Sequence, residues 1–443
     1  MDLAGVFAQM RIKPDFATPG KTGKDRLNLI HRNVGETDAY FVANRGYSPV
    51  SIECSFRQAG KVPEFWSPDT GKITDAPIYR EVGGTTTVPI RFDPAGSVFV
   101  VFRKPVGKSH HLVSATRAGG TDAASVARIP RIVKATYGAA GDANAADVTD
   151  KVAAMVANAQ LIIPANNDSY GDTAPLVVKQ LTVEYVIDGK THAAIVSEGG
   201  QLDLTMGGGA EMPEFEVEVG KHNSIELKAW KPGVYTLKTA DGKVRQMQVK
   251  TGAATREIAG PWTLRFPDGW GAPKQVGLDK LISWTEHSDP GVRYFSGTAR
   301  YSKDFDVPAS MVGSDRSVVL DLGKVMNFAE VTLNGKKLAV LWKEPFRADV
   351  TGLMRAGRNH LEVSVTNLWP NRIIGDEQYP DDCQWNGNTI AQIPQWVTGG
   401  GTRPQKERYT FATWKFYNKD SKLLESGLLG PVVLYSAKRL RPL

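Results

Sequence analysis

The sequence predicts an all-β protein of tandem β-sandwich modules, the last of which is a jelly roll. Three observations support this fold class. Short runs of alternating polar and apolar residues, separated by Gly, Pro, Asn and Asp, fill most of the 443 residues, as in sandwiches and jelly rolls. Two-residue hairpin turns recur at Asp188-Gly189, Asp241-Gly242 and Asn334-Gly335. Helical periodicity is scarce, and its best example is 148–158.

Length alone suggests two to four domains. Changes in composition and pattern divide the chain into four segments. Residues 1–25 are a remnant of whatever precedes the first sandwich, and 26–105 form a small antiparallel β-sandwich. Residues 106–254 comprise a linker and a middle β-rich domain, and 255–443 form the jelly roll.

The first sandwich is predicted from alternating runs at 39–43, 50–56 and 97–103, with a turn at 67–71 of Ser-Pro-Asp-Thr-Gly chemistry. The Gly-, Ala-, Ser- and Thr-rich stretch 106–127 is typical of a linker. Its neighbouring His110 and His111 lack a third metal ligand nearby, so they do not predict a metal site.

The middle domain holds the one clear helix, with Asp147 or Thr149 as its cap. Two hairpins follow, around the Asp-Gly turns at 188–189 and 241–242. Between the helix and the first hairpin lies an oxygen-rich loop, 166–172, without the glycine and glutamate spacing of an EF-hand. A solvated loop is the favoured interpretation, and a structural Ca²⁺ is the alternative; no other cofactor is predicted.

The last segment is predicted to contain nine antiparallel strands in about 190 residues, which suits a jelly roll. They are 262–266, 294–307, 317–322, 329–333, 337–342, 346–350, 361–367, 409–417 and 432–439.

Composition excludes several classes of protein. The formal charge of +7 is spread along the chain without a run of five basic residues, so a nucleic-acid partner is not expected. No stretch approaches the ~18 apolar residues of a transmembrane helix, so no membrane partner is expected. The cysteines, Cys54 and Cys383, have no metal or redox spacing, and the sequence does not decide whether they pair.

No catalytic residue is predicted. The sequence lacks a G-x-S-x-G elbow, a P-loop, H-E-x-x-H and a G-x-G-x-x-G after a strand. Glycoside hydrolysis needs two carboxyl groups that flank one bond. The candidate acids (Glu286, Asp376, Glu377, Asp381 and Asp382) show no such pair, and no alternating strand–helix pattern predicts a barrel to hold one.

The densest group of ligand-contact candidates lies in 362–377, where a predicted strand runs into a loop with an aromatic ring, an amide, a guanidinium and carboxylates. Such groups stack on sugar rings and hydrogen-bond their hydroxyls. The predicted sugar-binding residues are Trp369, Asn371, Arg372, Asp376 and Glu377, with Trp284, Glu286, Trp396, Arg403 and Arg408 from the same segment. A structural corner, with Trp369 in the core and Arg372 paired to Asp376, stays open. Trp262 and Trp342 are assigned to packing.

Several long strings resemble glycoside hydrolase family 106, the α-L-rhamnosidases. GPWTLRFPDGWGAP (260–273), SWTEHSDPGVRYFSGTARYSKDF (283–305), the stretch 333–377 and FATWKFYNKDSKLLESGLLGPVVL (411–434) resemble the C-terminal part of that family. IHRNVGETDAYFVANR (30–45) and FRQAGKVPEFWSPDTGKI (56–73) resemble the sandwich that follows its catalytic barrel. The resemblance is weakest across 106–225. It implies that the last module is a family-2-type, galactose-binding-like jelly roll.

The resemblance also implies a barrel that would precede residue 1, so no catalytic position can be carried over. We therefore expect the non-catalytic C-terminal region of an α-L-rhamnosidase, which binds rhamnose-containing oligo- or polysaccharides, with a separate catalytic barrel chain as a candidate partner. A stand-alone carbohydrate-binding protein and a structural remnant without a ligand are the alternatives. The family implies a periplasmic or secreted protein. The chain, which shows no signal peptide, would be cytoplasmic if Met1 is its natural start.

Overall fold

The computed structural model describes residues 10, 13–18, 27–46, 49–107, 111–119, 130–142, 144–157, 160–175, 177–187, 190–204, 212–220 and 224–442. The chain divides into two compact units. Unit 1 comprises residues 1–253 and 438–443, and unit 2 comprises residues 254–437. Strands are the main regular secondary structure in the described residues of both units, and the predicted all-β class is confirmed.

Unit 1 contains twenty of the described strands and two helices. The strands are β1 (Phe16–Ala17), β2 (Leu27–Val34), β3 (Thr37–Asn44), β4 (Val50–Phe56), β5 (Lys61–Trp66), β6 (Ile73–Asp75), β7 (Arg80–Val82), β8 (Thr85–Phe92), β9 (Ser97–Pro105), β10 (Leu112–Arg117), β11 (Arg131–Ala139), β12 (Ala146–Asp147), β13 (Ile162–Pro164), β14 (Lys179–Ile187), β15 (Lys190–Ser197), β16 (Gln201–Asp203), β17 (Phe215–Val219), β18 (Ile225–Ala229), β19 (Gly233–Thr239) and β20 (Val244–Val249). The helices are α1 (Thr149–Ala157) and α2 (Asn167–Tyr170).

The first module of unit 1 is a sandwich of two antiparallel sheets, β1-β4-β8-β7 and β2-β3-β9-β5-β6. Every second residue of β3 and β4 is buried, as the alternating sequence predicts. The residues between the sheets include Tyr40, Phe56, Phe102 and Cys54. The predicted turn at 67–71 is confirmed, because the Gly71 N–H donates to the Ser67 carbonyl between β5 and β6.

The rest of unit 1 is built on a four-stranded sheet, β12-β11-β14-β15, and a three-stranded sheet, β10-β19-β20. Helix α1 packs on β11 through Val152 and Val156, and the Asp147 carboxylate accepts from the Thr149 N–H at its start. Both predicted hairpins form, β14 with β15 and β19 with β20. The turn at 188–189 lies outside the described residues, as do His110, most of 1–25 and half of 106–127.

Unit 2 contains the remaining strands: β21 (Ala254–Glu257), β22 (Trp262–Arg265), β23 (Gln275–Leu278), β24 (Thr298–Val307), β25 (Arg316–Asp321), β26 (Lys324–Met326), β27 (Phe328–Leu333), β28 (Lys336–Leu341), β29 (Arg347–Asp349), β30 (Gly357–Thr366), β31 (Trp385–Asn386), β32 (Thr389–Ile390), β33 (Gly427–Gly430) and β34 (Val433–Leu440), whose last residues belong to unit 1. Helices α3 (Pro290–Arg293) and α4 (Pro370–Asp376) and 3₁₀ turns at Trp284–Glu286 and Ala309–Met311 complete it.

Unit 2 is a sandwich. The six-stranded sheet β23-β22-β24-β30-β27-β28 faces β25, β29 and residues 433–436, and a single apolar core lies between them. The Asn334-Gly335 hairpin is confirmed, with Leu333 opposite Lys336. Two expectations were wrong. Residues 370–376 form a helix rather than a loop, and 409–417 form no continuous strand.

Candidate functional site

An asparagine, Asn367, anchors the chain between β30 and α4. The Asn367 side chain accepts from the Gly297 N–H (2.8 Å) and donates to the Phe295 carbonyl (2.9 Å) and to Ser426 Oγ (3.0 Å). Pro370 then stands at the first helical position, where its fixed φ and missing N–H suit a helix start. The strand therefore ends and the helix begins within four residues.

The buried polar side chains of α4 face the protein. Asn371 is fully buried; its amide donates to the Leu424 carbonyl (2.7 Å) and to Ser426 Oγ (2.8 Å), and its oxygen accepts from the Leu424 N–H (2.8 Å). Arg372 is also buried and donates from Nε to Asp376 Oδ1 (3.0 Å), while its guanidinium lies over the Tyr409 ring. Neither side chain offers a donor at the surface.

Asp376 is the centre of this arrangement. Its Oδ2 accepts from the backbone N–H of Tyr409 (3.0 Å) and from both the backbone N–H and the hydroxyl of Thr410 (each 2.6 Å). Because Oδ1 already accepts from Arg372, both oxygens are used. Asp376 thus ties α4 to the segment that begins at Tyr409.

Two further ion pairs support the same segment. Arg408 donates to Glu377 Oε1 (2.6 Å) and to the Tyr379 carbonyl (3.0 Å). Arg403 donates to Asp382 Oδ2 (2.6 Å) and to the Thr410 carbonyl (2.6 Å).

Trp396 packs beside these pairs. The Arg403 guanidinium lies 4.5 Å from the centre of its ring, and Phe411 meets it edge to face. The ring that the sequence proposed as a sugar platform is therefore covered on one face by a cation.

A cleft of about 390 Å³, a volume that includes the solvent at its mouth, opens beside this network. Its lining combines carboxylates, cations and aromatic rings: Ile373, Asp376, Glu377, Asp382, Cys383, Trp385, Arg408, Thr410, Phe411, Ala412, Trp414, Lys415, Phe416 and Tyr417. Three predicted residues, Asp376, Glu377 and Arg408, line it directly.

The aromatic wall of the cleft stands on a short ribbon. The hairpin of β31 and β32 turns at Gly387-Asn388, and the segment 413–415 pairs with it through Ile390 N–H to Thr413 O and Lys415 N–H to Asn388 O (both 2.9 Å). The Trp414 and Phe416 side chains are 46% and 66% exposed.

The cleft favours binding over acid–base or nucleophilic chemistry. Asp376, Glu377 and Asp382 each bond an arginine. Burial, reinforced by the charge of Asp382, raises the pKa of the Cys383 thiol to about 11, so at neutral pH it is not the thiolate that a nucleophile requires. Both cysteines are free.

The remaining predicted residues lie elsewhere in unit 2. Trp284 is 1% exposed and donates to the Tyr301 hydroxyl (2.6 Å), so it is a core residue and its assignment as a sugar contact is corrected. Glu286 is exposed on the 3₁₀ turn. Trp369 is 54% exposed and packs against Trp270 (5.8 Å). Trp342, assigned to packing, is 53% exposed, which corrects that assignment.

Asn371, Arg372 and Asp376 were correctly located together, but the structural interpretation describes them better than ligand contact does, because their polar atoms are bonded within the protein. The sequence analysis missed Trp385 and Phe416. Two signals pointed to them: the Gly387-Asn388 dipeptide of the hairpin turn, and the i, i+2 spacing of Trp414 and Phe416.

The oxygen-rich loop at 166–172 is organised internally. Asn166 caps α2 by accepting from the Ser169 N–H, and Asp172 pairs with Lys179. In the described ranges no cluster of three or more His, Cys, Asp or Glu side chains could hold a metal ion. Nor does any helix in the described part of the chain have the length and apolarity to cross a bilayer.

Comparison with known proteins identifies two parts of the chain. Residues 1–81 match the family model of the alpha-L-rhamnosidases, glycoside hydrolase family 106, and residues 285–402 match the model of the galactose-binding-like domain of glycosyl hydrolase 2. A curated protein of Formosa agariphila, provisionally named a beta-glucuronidase, is 31% identical over 92% of this chain and 42% of its own length.

Among solved structures, the rhamnosidase from Novosphingobium sp. PP1Y matches with a TM-score of 0.57 and 24% identity, over 98% of this chain and 26% of that one. This likeness shows a shared fold. A β-D-glucuronidase from Dictyoglomus thermophilum matches over 42% of this chain and 28% of that one, at 18% identity and a TM-score of 0.27. The chain thus spans less than half of the curated relative and about a quarter of the solved rhamnosidase. Its residues 1–81 are similar to the α-L-rhamnosidase family, and its residues 285–402 are similar to the galactose-binding-like domain of glycosyl hydrolase 2.

Proposed function

We propose that this chain is the non-catalytic, structural and carbohydrate-binding part of an α-L-rhamnosidase-like glycoside hydrolase that acts on rhamnose-containing glycans. The observation that carries the proposal is the pairing of every acid that lines the cleft with an arginine, in a chain with both family matches. Such acids support a binding surface and do not supply a proton donor and a base.

The non-catalytic part of the proposal follows from what glycoside hydrolysis requires. Two carboxyl groups must flank the scissile bond, one of them able to donate a proton. Asp376 has both oxygens occupied, and Glu377 and Asp382 each hold an arginine at 2.6 Å. The exposed Glu286 has no second acid in its 3₁₀ turn.

The catalytic groups would then lie in a separate barrel, which we propose as the partner of this chain. The lengths of the relatives are compatible with this, since most of the solved rhamnosidase lies outside the matched part. We also propose the module bounds 26–105, 106–254 and 255–443 for the first sandwich, the linker with the middle domain, and the sugar-binding module.

Turnover of an aryl α-L-rhamnoside tests the non-catalytic role. We expect no release of the aryl group by the purified chain above the rate of the buffer. Activity that is abolished by Glu286→Gln or Asp376→Asn would overturn the proposal, provided that circular dichroism shows both variants to be folded.

Glycan binding tests the other half of the proposal. The exposed Trp369 is the predicted residue that still presents an aromatic surface. Binding that is retained by the isolated chain and lost in a folded Trp369→Ala variant would place the contact at this residue. Absence of binding to every rhamnose-containing oligosaccharide would leave a structural role alone.

A further inference from the structure

We infer that the cleft of unit 2 binds an uncharged saccharide ring, stacked on Trp414 and Phe416, and that it selects against uronic acids. This inference rests on the proposed carbohydrate-binding function and adds to it the contact residues and the charge of the ligand. The sequence motif at 362–377 contains Glu377 but neither of these two rings.

The stacking surface consists of the aromatic rings at the cleft that no cation covers. The Lys415 ammonium lies 4.9 Å from the centre of the Trp385 ring, and Arg403 covers Trp396. Neither cation is placed over Trp414 or Phe416, and both of these rings are substantially exposed at the cleft. An exposed aromatic face beside a polar wall suits a sugar ring, which has one apolar face and hydroxyls at its edge.

Three polar atoms of residues that line the cleft retain unused hydrogen-bonding capacity. Glu377 accepts from Arg408 through Oε1, which leaves Oε2 without a donor among the described residues. The Trp385 indole N–H and the Arg408 Nε–H are buried and have no hydrogen-bond acceptor in the described part of the chain, although Nε lies 3.6 Å from Asp382 Oδ1. One acceptor and two donors remain, and a ring hydroxyl can serve either kind.

The cleft offers an anionic ligand no cation that lacks a carboxylate partner among the described residues. Its three lining carboxylates, Asp376, Glu377 and Asp382, pair with Arg372, Arg408 and Arg403. The two lining cations are engaged as well, Arg408 with Glu377 and Lys415 with Asp381 (2.8 Å). A carboxylate on the ligand would have to compete with these pairs, whereas a neutral hydroxyl would not.

Matched methyl glycosides that differ only at C6 test the inference: methyl β-D-glucoside with its glucuronide, and methyl α-D-galactoside with its galacturonide, beside methyl α-L-rhamnoside. Saturation-transfer NMR and calorimetry on the full chain measure the affinities. We expect at least one neutral glycoside to bind, and any uronate counterpart to bind at least tenfold more weakly.

Variants locate the site. Trp414→Ala and Phe416→Ala should each weaken binding at least tenfold, and Glu377→Gln several-fold. Trp342→Ala is the matched control, because Trp342 is equally exposed in unit 2 but lies outside the cleft lining. Glu425→Gln controls for loss of an ion pair, since Glu425 pairs with Lys324 instead.

The outcomes separate the two proposals. If uronates bind as tightly as their neutral partners, or if Trp342→Ala weakens binding as much as Trp414→Ala, this inference fails while carbohydrate binding stands. If neither the glycosides nor any oligosaccharide binds, the carbohydrate-binding function itself fails.

Discussion

Asp376 gives the sharpest test of how α4 and the cleft are held together. Its carboxylate accepts four hydrogen bonds, one from Arg372 and three from Tyr409 and Thr410. Asp376→Asn keeps the shape but supplies one acceptor oxygen instead of two, so either Arg372 or the backbone N–H groups lose their partner. Removal of one member of a buried ion pair costs about 3–5 kcal/mol.

This loss of stability lowers the melting temperature of unit 2 by a measurable amount. In a domain of 150–250 residues, 1 kcal/mol corresponds to about 2–4 °C, and unit 2 spans residues 254–437. We therefore expect the unit 2 transition to fall by roughly 10 °C. Eight of the ten tryptophans lie in this range, so intrinsic fluorescence during heating, together with calorimetry, follows this unit.

Two controls separate the loss of the buried Asp376 hydrogen bonds from a general effect of lost charge. Asp268→Asn removes an exposed carboxylate that lies 3.7 Å from an exposed lysine, and should cost less than about 0.5 kcal/mol. Arg372→Met combined with Asp376→Asn should be more stable than the single variant, because the unpaired guanidinium is gone. A shift below about 2 °C in Asp376→Asn would refute the reasoning.

Three further outcomes follow from buried groups. Asn371→Ala removes both bonds to the Leu424 backbone and the bond to Ser426; we expect a loss of about 2–3 kcal/mol in urea unfolding. Cys383, with a pKa of about 11, should react slowly with a disulfide reagent at pH 8, and its rate should rise about tenfold per pH unit until near pH 11; a plateau near pH 9 would contradict this. Burial alone would raise the pKa of Glu64, but hydrogen bonds from Arg103 and Lys104 outweigh it and hold the pKa below 4.5. Its stabilisation is therefore complete above pH 4.5 and lost as pH falls through the folded pKa, so the melting temperature of the parent should fall more between pH 6 and pH 3 than that of Glu64→Gln.

Much of the fold could be predicted because the strands of a sandwich alternate apolar and polar residues in the sequence. The inward and outward faces of β3, β4 and β30 alternate in the sequence as they do in the structure. The Asn334-Gly335 turn specifies a hairpin through its backbone preference, and Asn334 indeed has φ +52°. Both features are local, so they survive without knowledge of the tertiary structure.

The errors arose where tertiary contacts decide the structure. Residues 409–417 contain the alternating aromatics of a strand, but Tyr409 and Thr410 give their N–H groups to Asp376 and not to a neighbouring strand. Trp284 and Trp369 are both tryptophans beside polar residues, yet one is in the core and the other at the surface. No period in the sequence distinguishes them, because neither lies on a strand.

The same contacts explain why residues 362–377, whose side chains are of the types that bind ligands, mainly stabilise the structure. An aromatic ring, an amide, a guanidinium and carboxylates are the groups that recognise a ligand, and they are also the groups that satisfy buried backbone N–H and C=O. Segment 403–417 has little strand pairing of its own, so Asp376 and Arg403 bond its backbone, and its Arg408 side chain donates to the Tyr379 carbonyl. The cleft aromatics Trp414 and Phe416 belong to that segment. Apart from Glu377, the motif in 362–377 would therefore contribute to the inferred binding only indirectly, since the Asp376 hydrogen bonds to Tyr409 and Thr410 hold the segment that carries those two rings.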